Sequence, residues 1–305
     1  MVGLKGCAMG MADVVPGVSG GTIAFISGIY EELLGSIKSI DLEAIKLLFT
    51  GKFCALWEKI NGKFLFSLIA GIGVAILTMA RLMTYMLENH PIITWSFFFG
   101  LIIASALMVA REVNRWSALS VVTMIVGIVL SYWITVVSPA TTPNDWWFVM
   151  LSGAIAICAM ILPGISGAFI LLLLGKYMFI MEAVAQLNIG VQVVFAIGAV
   201  VGIVSFSHVL SWLLAKWHDA TVTMLMGFMI GSLNKVWPWK QTLETYLDSH
   251  GVEQPLVQAN VSPMQFEVLS GESHLVLAIV SCVAGFALIY VIEMIGKRVK
   301  ANKEA

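Results

Sequence analysis

Apolar runs and short polar stretches alternate along the chain and divide it into eight segments, near residues 8–34, 63–88, 92–110, 117–137, 148–174, 191–215, 221–234 and 274–296. A helix needs about 20 mostly apolar residues to cross a bilayer, and most of these runs reach that length. Two of them, 8–34 and 148–174, are interrupted by Pro and Gly. Pro16-Gly17-Val18-Ser19-Gly20 in the first returns as Pro163-Gly164-Ile165-Ser166-Gly167 in the second. Gly28 and Tyr30 recur as Gly175 and Tyr177 at the same spacing of 147 residues. Farther on, Gly71, Tyr85, Gly100 and Ser105 align with Gly198, Trp212, Gly227 and Ser232 at a spacing of 127. The 20 residues lost between these spacings belong to the polar stretch 36–62, where Lys38, Lys46, Lys52 and Lys59 lie among Asp41, Glu43 and Glu58. The chain reads as an internal duplication, with a first repeat over 1–140 and a second over 141–305.

Composition says in which solvent the repeats fold. Hydrophobic residues make up 59% of the 305 and charged residues 11%, against roughly 45–50% and 25% in soluble domains. The mean hydropathy of +0.94 leaves too little polar surface for a water-soluble shell, so the bilayer is the expected partner. A net charge of −1 supplies no basic field for nucleic acid. Cys7, Cys54, Cys158 and Cys282 lie far apart without metal-ligand or CxxC spacing and read as small apolar packing residues. No cofactor or metal is implied. The first dozen residues carry one Lys and no cleavable signal pattern, so the first apolar segment is expected to stay. Trp146, Trp147, Trp237 and Trp239 fit interfacial anchors.

Lys and Arg gather in short cytoplasmic loops, and this bias selects a topology. With 36–62 cytoplasmic, 63–88 exits to a Lys-free turn, 92–110 returns to Arg111 and Arg115, and 117–137 exits to a loop holding Asp145. If 148–174 then dips in and returns to its own side, Lys216 and the tail of Lys297, Arg298, Lys300 and Lys303 fall inside, and the acidic connection within 235–273 falls outside. The same reasoning makes 8–34 re-entrant. The predicted fold is an all-α polytopic membrane protein of two inverted-topology repeats, each with one Pro/Gly-broken re-entrant hairpin and three transmembrane helices. Both termini are cytoplasmic. Lys176, Lys235 and Lys240 run against this topology, because they fall outside.

The hairpin tips are the expected site of chemistry. Irregular backbone at membrane depth survives only where protein or a polar cavity satisfies it. In the first tip Gly17, Gly20 and Gly21 permit close backbone approach, and Ser19 and Thr22 supply hydroxyls. In the second, Gly164, Ser166 and Gly167 repeat the arrangement, with Ala168 and Phe169 replacing Gly21 and Thr22. Free N–H groups where each half-helix restarts favour an anion; the bland reading is tight helix packing on small residues. Arg81 and His208 hold the same place in the two repeats and are candidate cations, although Arg81 could equally snorkel to headgroups and His208 could be a hydrogen-bonded core residue. Glu31 and Glu32 follow the first hairpin as solvated charges or acceptors of a coupling proton.

The stretches Met11-Ala-Asp-Val-Val-Pro-Gly-Val-Ser-Gly-Gly-Thr22, Met160-Ile-Leu-Pro-Gly-Ile-Ser-Gly167, Phe97-Phe-Phe-Gly-Leu101 and Gly231-Ser-Leu-Asn-Lys-Val-Trp-Pro-Trp239 resemble the bacterial polyprenyl-phosphate translocases, over nearly the whole chain. The resemblance implies transport of undecaprenyl phosphate from the outer to the inner leaflet of the cytoplasmic membrane, with no catalytic residue. Family members more often carry a small hydroxyl residue where this chain has Ala168-Phe169. A phosphate bound between the tips, Arg81 compensating its charge, and alternating access driven by a proton or ion gradient would complete such a carrier. Two other classes stay open: a transporter of a small soluble anion, and a lipid-phosphate enzyme. The enzyme would need a nucleophile with a base or a metal cluster, and the histidines are scattered.

Overall fold

The computed structural model describes residues 2–14, 19–137, 142–247 and 253–304. The first broken segment forms α1 (Val2–Val14), α2 (Gly20–Ile26) and α3 (Tyr30–Lys38). The stretch 36–62 holds α4 (Leu42–Phe49) and α5 (Phe53–Lys59), followed by the long helices α6 (Gly62–Asn89), α7 (Pro91–Ala110) and α8 (Ala118–Val136). The second half opens on α9 (Trp146–Ile161), α10 (Gly167–Leu173) and α11 (Tyr177–Ala185) and continues with α12 (Ile189–Lys216) and α13 (His218–Ser232). Strands β1 (Lys240–Leu247) and β2 (Glu253–Asn260), α14 (Pro263–Ser270) and α15 (Leu275–Glu304) complete it.

Local chemistry sets the boundaries. Ser117 caps α8 by accepting from Ser120 N–H, Asn188 caps α12 by accepting from Val191 N–H, and Pro91 opens α7, where its missing N–H costs nothing. Gly28 (φ 67°) and Gly175 (φ 61°) take the same left-handed turn after α2 and α10, a conformation that disfavours side chains. That explains their return in the repeat.

The polar stretch 36–62 is itself helical: Asp41 caps α4 through Ala44 N–H at 2.9 Å, and Lys59 pairs with Asp41 at 3.0 Å and with Glu43. The chain is mostly helical, as expected, with the addition of one antiparallel strand pair, β1 and β2. Their polar, Thr- and Val-bearing sequence lies between the apolar helices, where water can satisfy sheet edges that lipid cannot.

Helices α6, α7, α8 and α12 are long and apolar enough to cross a membrane, with a fifth span if α10 and α11, bent by 111°, count as one. The chain is a multi-pass membrane protein. Repeat partners α7 and α13 form much of the buried centre, whereas α6, α8 and α12 turn apolar side chains such as Leu77 (83% exposed), Val129 and Val200 outward, as lipid-facing surfaces do.

The most extensive helix contacts pair α1 with α6, α9 with α12, α7 with α15 and α8 with α13. Glycines set their spacing. A Cβ on Gly6 would lie 2.3 Å from Leu68 O and one on Gly71 2.1 Å from Gly3 O. The second half repeats both contacts with Gly153 on Phe195 O (2.4 Å) and Gly198 on Met150 O (1.9 Å). Likewise Gly100 meets Cys282 O as Gly227 meets Met124 O, and Gly285 meets Phe97 O as Gly127 meets Met224 O. In these contacts α15 takes the place that α8 takes on α13, 158 residues on, the longer spacing holding β1, β2 and α14. All four pairs are parallel: 3 and 10 on α1 face 71 and 72–75 on α6, 150 and 154 face 198 and 202, 93 and 97 face 281 and 285, and 123 and 127 face 223 and 227. Asn114, beyond the end of α7, bonds through its backbone N–H to Asp219 at the start of α13 at 3.0 Å, so α7 and α13 run in opposite directions.

Such close approach leaves no room for a side chain. Gly198→Leu is expected to lower the unfolding temperature in detergent by many degrees, whereas Gly73→Ala, with nothing near its Cβ, should leave it unchanged or slightly raised.

Candidate functional site

Each broken segment folds back on itself. Lys5 Nζ, near the start of α1, donates to Ser27 O, just past α2, at 2.6 Å. At the corresponding position of the second repeat, Leu174 O accepts from Thr142 Oγ1. Lys176 Nζ then donates to Thr142 O at 2.8 Å and to Asn144 Oδ1 at 2.6 Å, near the rings of Phe148 and Phe179. Lys176 is 1% exposed. This lysine is a structural tie at the base of the hairpin rather than a solvated loop charge.

At the other end of the hairpins the two breaks touch. The last carbonyls of α9 face the first turn of α2, so the negative end of one helix meets the positive end of another. Ser19 Oγ lies 3.0 Å from Met160 O and 3.2 Å from Leu162 O and accepts from Gly21 N–H at 3.1 Å. Tyr30 donates its hydroxyl to Ile161 O at 3.1 Å, and Gly164 N–H donates to Thr22 Oγ1 at 3.0 Å. Ser19 and Thr22 are each 1% exposed. Gly21 has no space for a side chain, since a Cβ would meet Ile161 O at 2.4 Å. Gly164, at φ 85°, packs its α-carbon against the Phe228-Met229 backbone of α13. Ser166 stands at the N-cap of α10 with Gly167 buried behind it. Gly17 lies outside the described residues. Of the expected tip residues, Ser19, Gly21, Thr22 and Gly164 meet across the breaks, with the hydroxyls of Ser19 and Thr22 engaged in joining them, whereas Gly167 packs on Ala156 of its own segment.

Sequence reasoning missed Asp13. Its carboxylate accepts Gly20 N–H at 2.7 Å, and a Cβ on Gly20 would strike it at 2.5 Å. A carboxylate thus occupies the start of α2, where the sequence suggests a ligand anion. Its counterpart in the second repeat is Met160, so the tips differ in charge. A lone acid inside an apolar run was the available signal.

The remaining candidates are more dispersed. Arg81 is exposed on α6, and no hydrogen bond or ion pair joins it to either break among the described residues. The parallel packing of α1 places Gly10 beside Ile72 and Ala75, so at 1.5 Å rise per residue Arg81 stands about level with the first break or slightly beyond it. His208, partly buried, has Nδ1 2.8 Å from Val204 O of its own helix. Glu32 accepts from Asn61 Nδ2 at 3.0 Å. Glu31 instead lines a cavity of about 160 Å³ with Tyr30, Glu112 and His218. Neither Glu112 nor His218 was singled out, because their approach depends on α7 ending where α13 begins. Burial lifts the Glu112 carboxyl above its usual range, with His218 opposing and Glu31 adding to the rise.

An apolar groove of about 490 Å³ reaches the second break at Leu162. Phe206, Leu210, Leu213, Met224 and Phe228 line it, and no charged side chain does among the described residues.

The undecaprenyl phosphate translocase-like family matches residues 9–254. A polyprenyl-phosphate transporter of Vibrio cholerae serotype O1 is 47% identical over 291 residues, 95% of this chain and 94% of its own length. A polyprenyl-phosphate transporter of Staphylococcus aureus is 32% identical over 253 residues, 77% of this chain and 85% of its own. The chain belongs to the undecaprenyl phosphate translocase-like family. No solved structure matches it. Membership makes it a transporter rather than an enzyme, in agreement with the sequence reading.

Two measurements probe this translocase-like site. Tyr30→Phe leaves Ile161 O without its donor and should cost about 1–3 kcal/mol in unfolding free energy, read by thermal or denaturant unfolding in micelles. A carboxyl whose folded pKa is raised favours the folded state at low pH and loses that contribution as pH rises through the folded value. Glu112→Gln removes the loss, so its stability relative to wild type should increase as pH rises from the ordinary carboxylate range through the raised folded value; a constant difference would contradict the burial of that carboxyl.

Proposed function

We propose that this chain carries undecaprenyl phosphate from the outer to the inner leaflet of the bacterial cytoplasmic membrane, returning a carrier lipid for reuse. The observation that carries the reading is the pair of broken helices meeting at the centre, with an apolar groove leading from their junction between α8, α12 and α13. A lipid phosphate needs such an arrangement: a shielded polar place for the head and an apolar lateral path for the tail. Curated relatives named polyprenyl-phosphate transporters support the substrate class.

The helix directions support two inverted repeats. In the first half α1, α6 and α8 run one way and α7 the other; their counterparts α9, α12 and α15 run opposite to them, and α13 opposite to α7. With three crossings per half and a re-entrant hairpin in each, both termini would lie on one side, and the Lys-bearing stretch 36–62 and the basic tail favour the cytoplasm. The head would lie between the tips, on Gly17, Ser19, Gly20, Gly21 and Thr22 from one side and Gly164, Ser166 and Gly167 from the other, with Arg81 supplying charge as the breaks separate. Rocking of one repeat against the other would expose it to each leaflet in turn. A proton or ion gradient would give direction. Glu31, grouped with Glu112 and His218, is better placed for coupling than Glu32 or His208.

The test is uptake of undecaprenyl phosphate from the outer leaflet of proteoliposomes, with and without an imposed pH gradient. Gradient-sensitive uptake that falls roughly tenfold or more in Arg81→Ala and Ser19→Ala, both still monodisperse, is the expected result. Release of inorganic phosphate would point to an enzyme. Uptake of a soluble anion with no lipid movement would favour the other carrier reading.

A further inference from the structure

Lys235 and Lys240, two of the lysines that run against the charge bias, share a cavity of about 310 Å³. It lies between the C-terminal ends of α8 and α13, the side of α10 and strand β2. Lys235 Nζ sits 4.3 Å from the centre of the Phe169 ring, and no hydrogen-bond acceptor reaches it among the described residues. Lys240 Nζ lies 3.9 Å from the Trp95 ring and donates to Lys235 O at 2.5 Å. No Asp or Glu is among the lining residues that the structure describes. Burial pushes both ammonium groups below the ordinary lysine range, Lys240 the further, with Lys235 adding to its shift. Two like charges drawn out of water without a counterion are costly, and an anion between them would remove that cost.

The frame around the charges is already made. Asn234 Nδ2 donates to Thr135 Oγ1 at 2.7 Å, and Asn260 Nδ2 lies 2.8 Å from both Asn234 O and Asn234 Oδ1. These bonds use the neutral amide donors and leave the ammonium groups as the recognising elements. The opposite wall, Phe169, Leu172 and Leu173 on α10, is apolar and leads toward the second break, three residues before Phe169. A charged head beside an apolar wall describes an amphiphile.

We propose that this cavity is an outer-face loading site for a phosphate monoester carried on an apolar chain, held by Lys235 and Lys240 before it reaches the break at Gly164–Gly167. The proposal rests on the transport reading for its direction, not for the binding itself. It also gives Phe169 a role: the aromatic that departs from the usual small hydroxyl residue is the face on which the Lys235 ammonium rests.

The experiment measures binding first, on the full-length chain in micelles, with a short-chain polyprenyl phosphate and, separately, inorganic phosphate as probes. Lys235→Gln and Lys240→Gln should each weaken lipid-phosphate binding roughly tenfold or more, and Lys235→Arg should restore most of it. Lipid binding that inorganic phosphate does not displace at comparable concentration assigns the site to the lipid head; tight inorganic phosphate binding lost in the same variants would overturn the lipid source. Unchanged binding in both Gln variants would overturn the site. Outer-leaflet uptake is then read on the same proteins: a raised half-saturation with a near-normal maximal rate is expected. A wild type that binds but moves no lipid would refute the transport reading and leave the loading site intact.

Discussion

A helix that breaks inside an apolar bundle leaves peptide groups that neither water nor the helix can satisfy. Here each break finds partners in the other. The terminal carbonyls of α9 are taken up by Ser19 and Tyr30, and the N–H of Gly164 by Thr22. Much of the local sequence follows from this junction: Gly20 and Gly21 have no space for a Cβ, and Asp13 binds an amide of α2. The same bonds couple the two broken segments mechanically. Packed interfaces of this kind tend to occupy discrete arrangements rather than deform continuously.

Around the junction, packing follows the rules of helices in lipid. Between helices that face acyl chains no hydrophobic difference drives association, so close contact depends on small residues. The glycines of α6, α7, α12 and α13 meet backbone carbonyls of their partners, and the contacts recur at equivalent places in both halves. The third long helix of each half is exchanged: α8 lies on α13 and α15 on α7. The central layer of one half of the chain is therefore completed by the other, and the two halves do not form separate cores.

The lysines that contradict a simple charge count show how burial changes the meaning of a residue. Lys176 closes the base of a hairpin through Thr142 and Asn144, and Lys235 and Lys240 rest on aromatic faces beneath the strand pair. A statistical bias for solvated cytoplasmic charge does not apply to lysines that the fold has desolvated and given local partners.

The membrane class and the long helices were legible in the sequence because hydropathy is a local property, and Gly28, Gly175, Gly71 and Gly198 stand where a backbone conformation or a close contact disfavours a side chain. The paired breaks were legible for the same reason. The strand pair, the helices of 36–62 and the counterpart of α15 were not, because insertions shift their register and their patterns are short. The polar groupings were decided by tertiary structure: Asp13 against Gly20, Ser19 against the end of α9, Glu31 with Glu112 and His218, and Lys235 with Lys240. Each joins groups whose interaction depends on distance and desolvation, and one chain position does not encode either. Sequence could name the residues able to bear charge or donate hydrogen bonds; packing determined which were already spent and which were left facing a cavity.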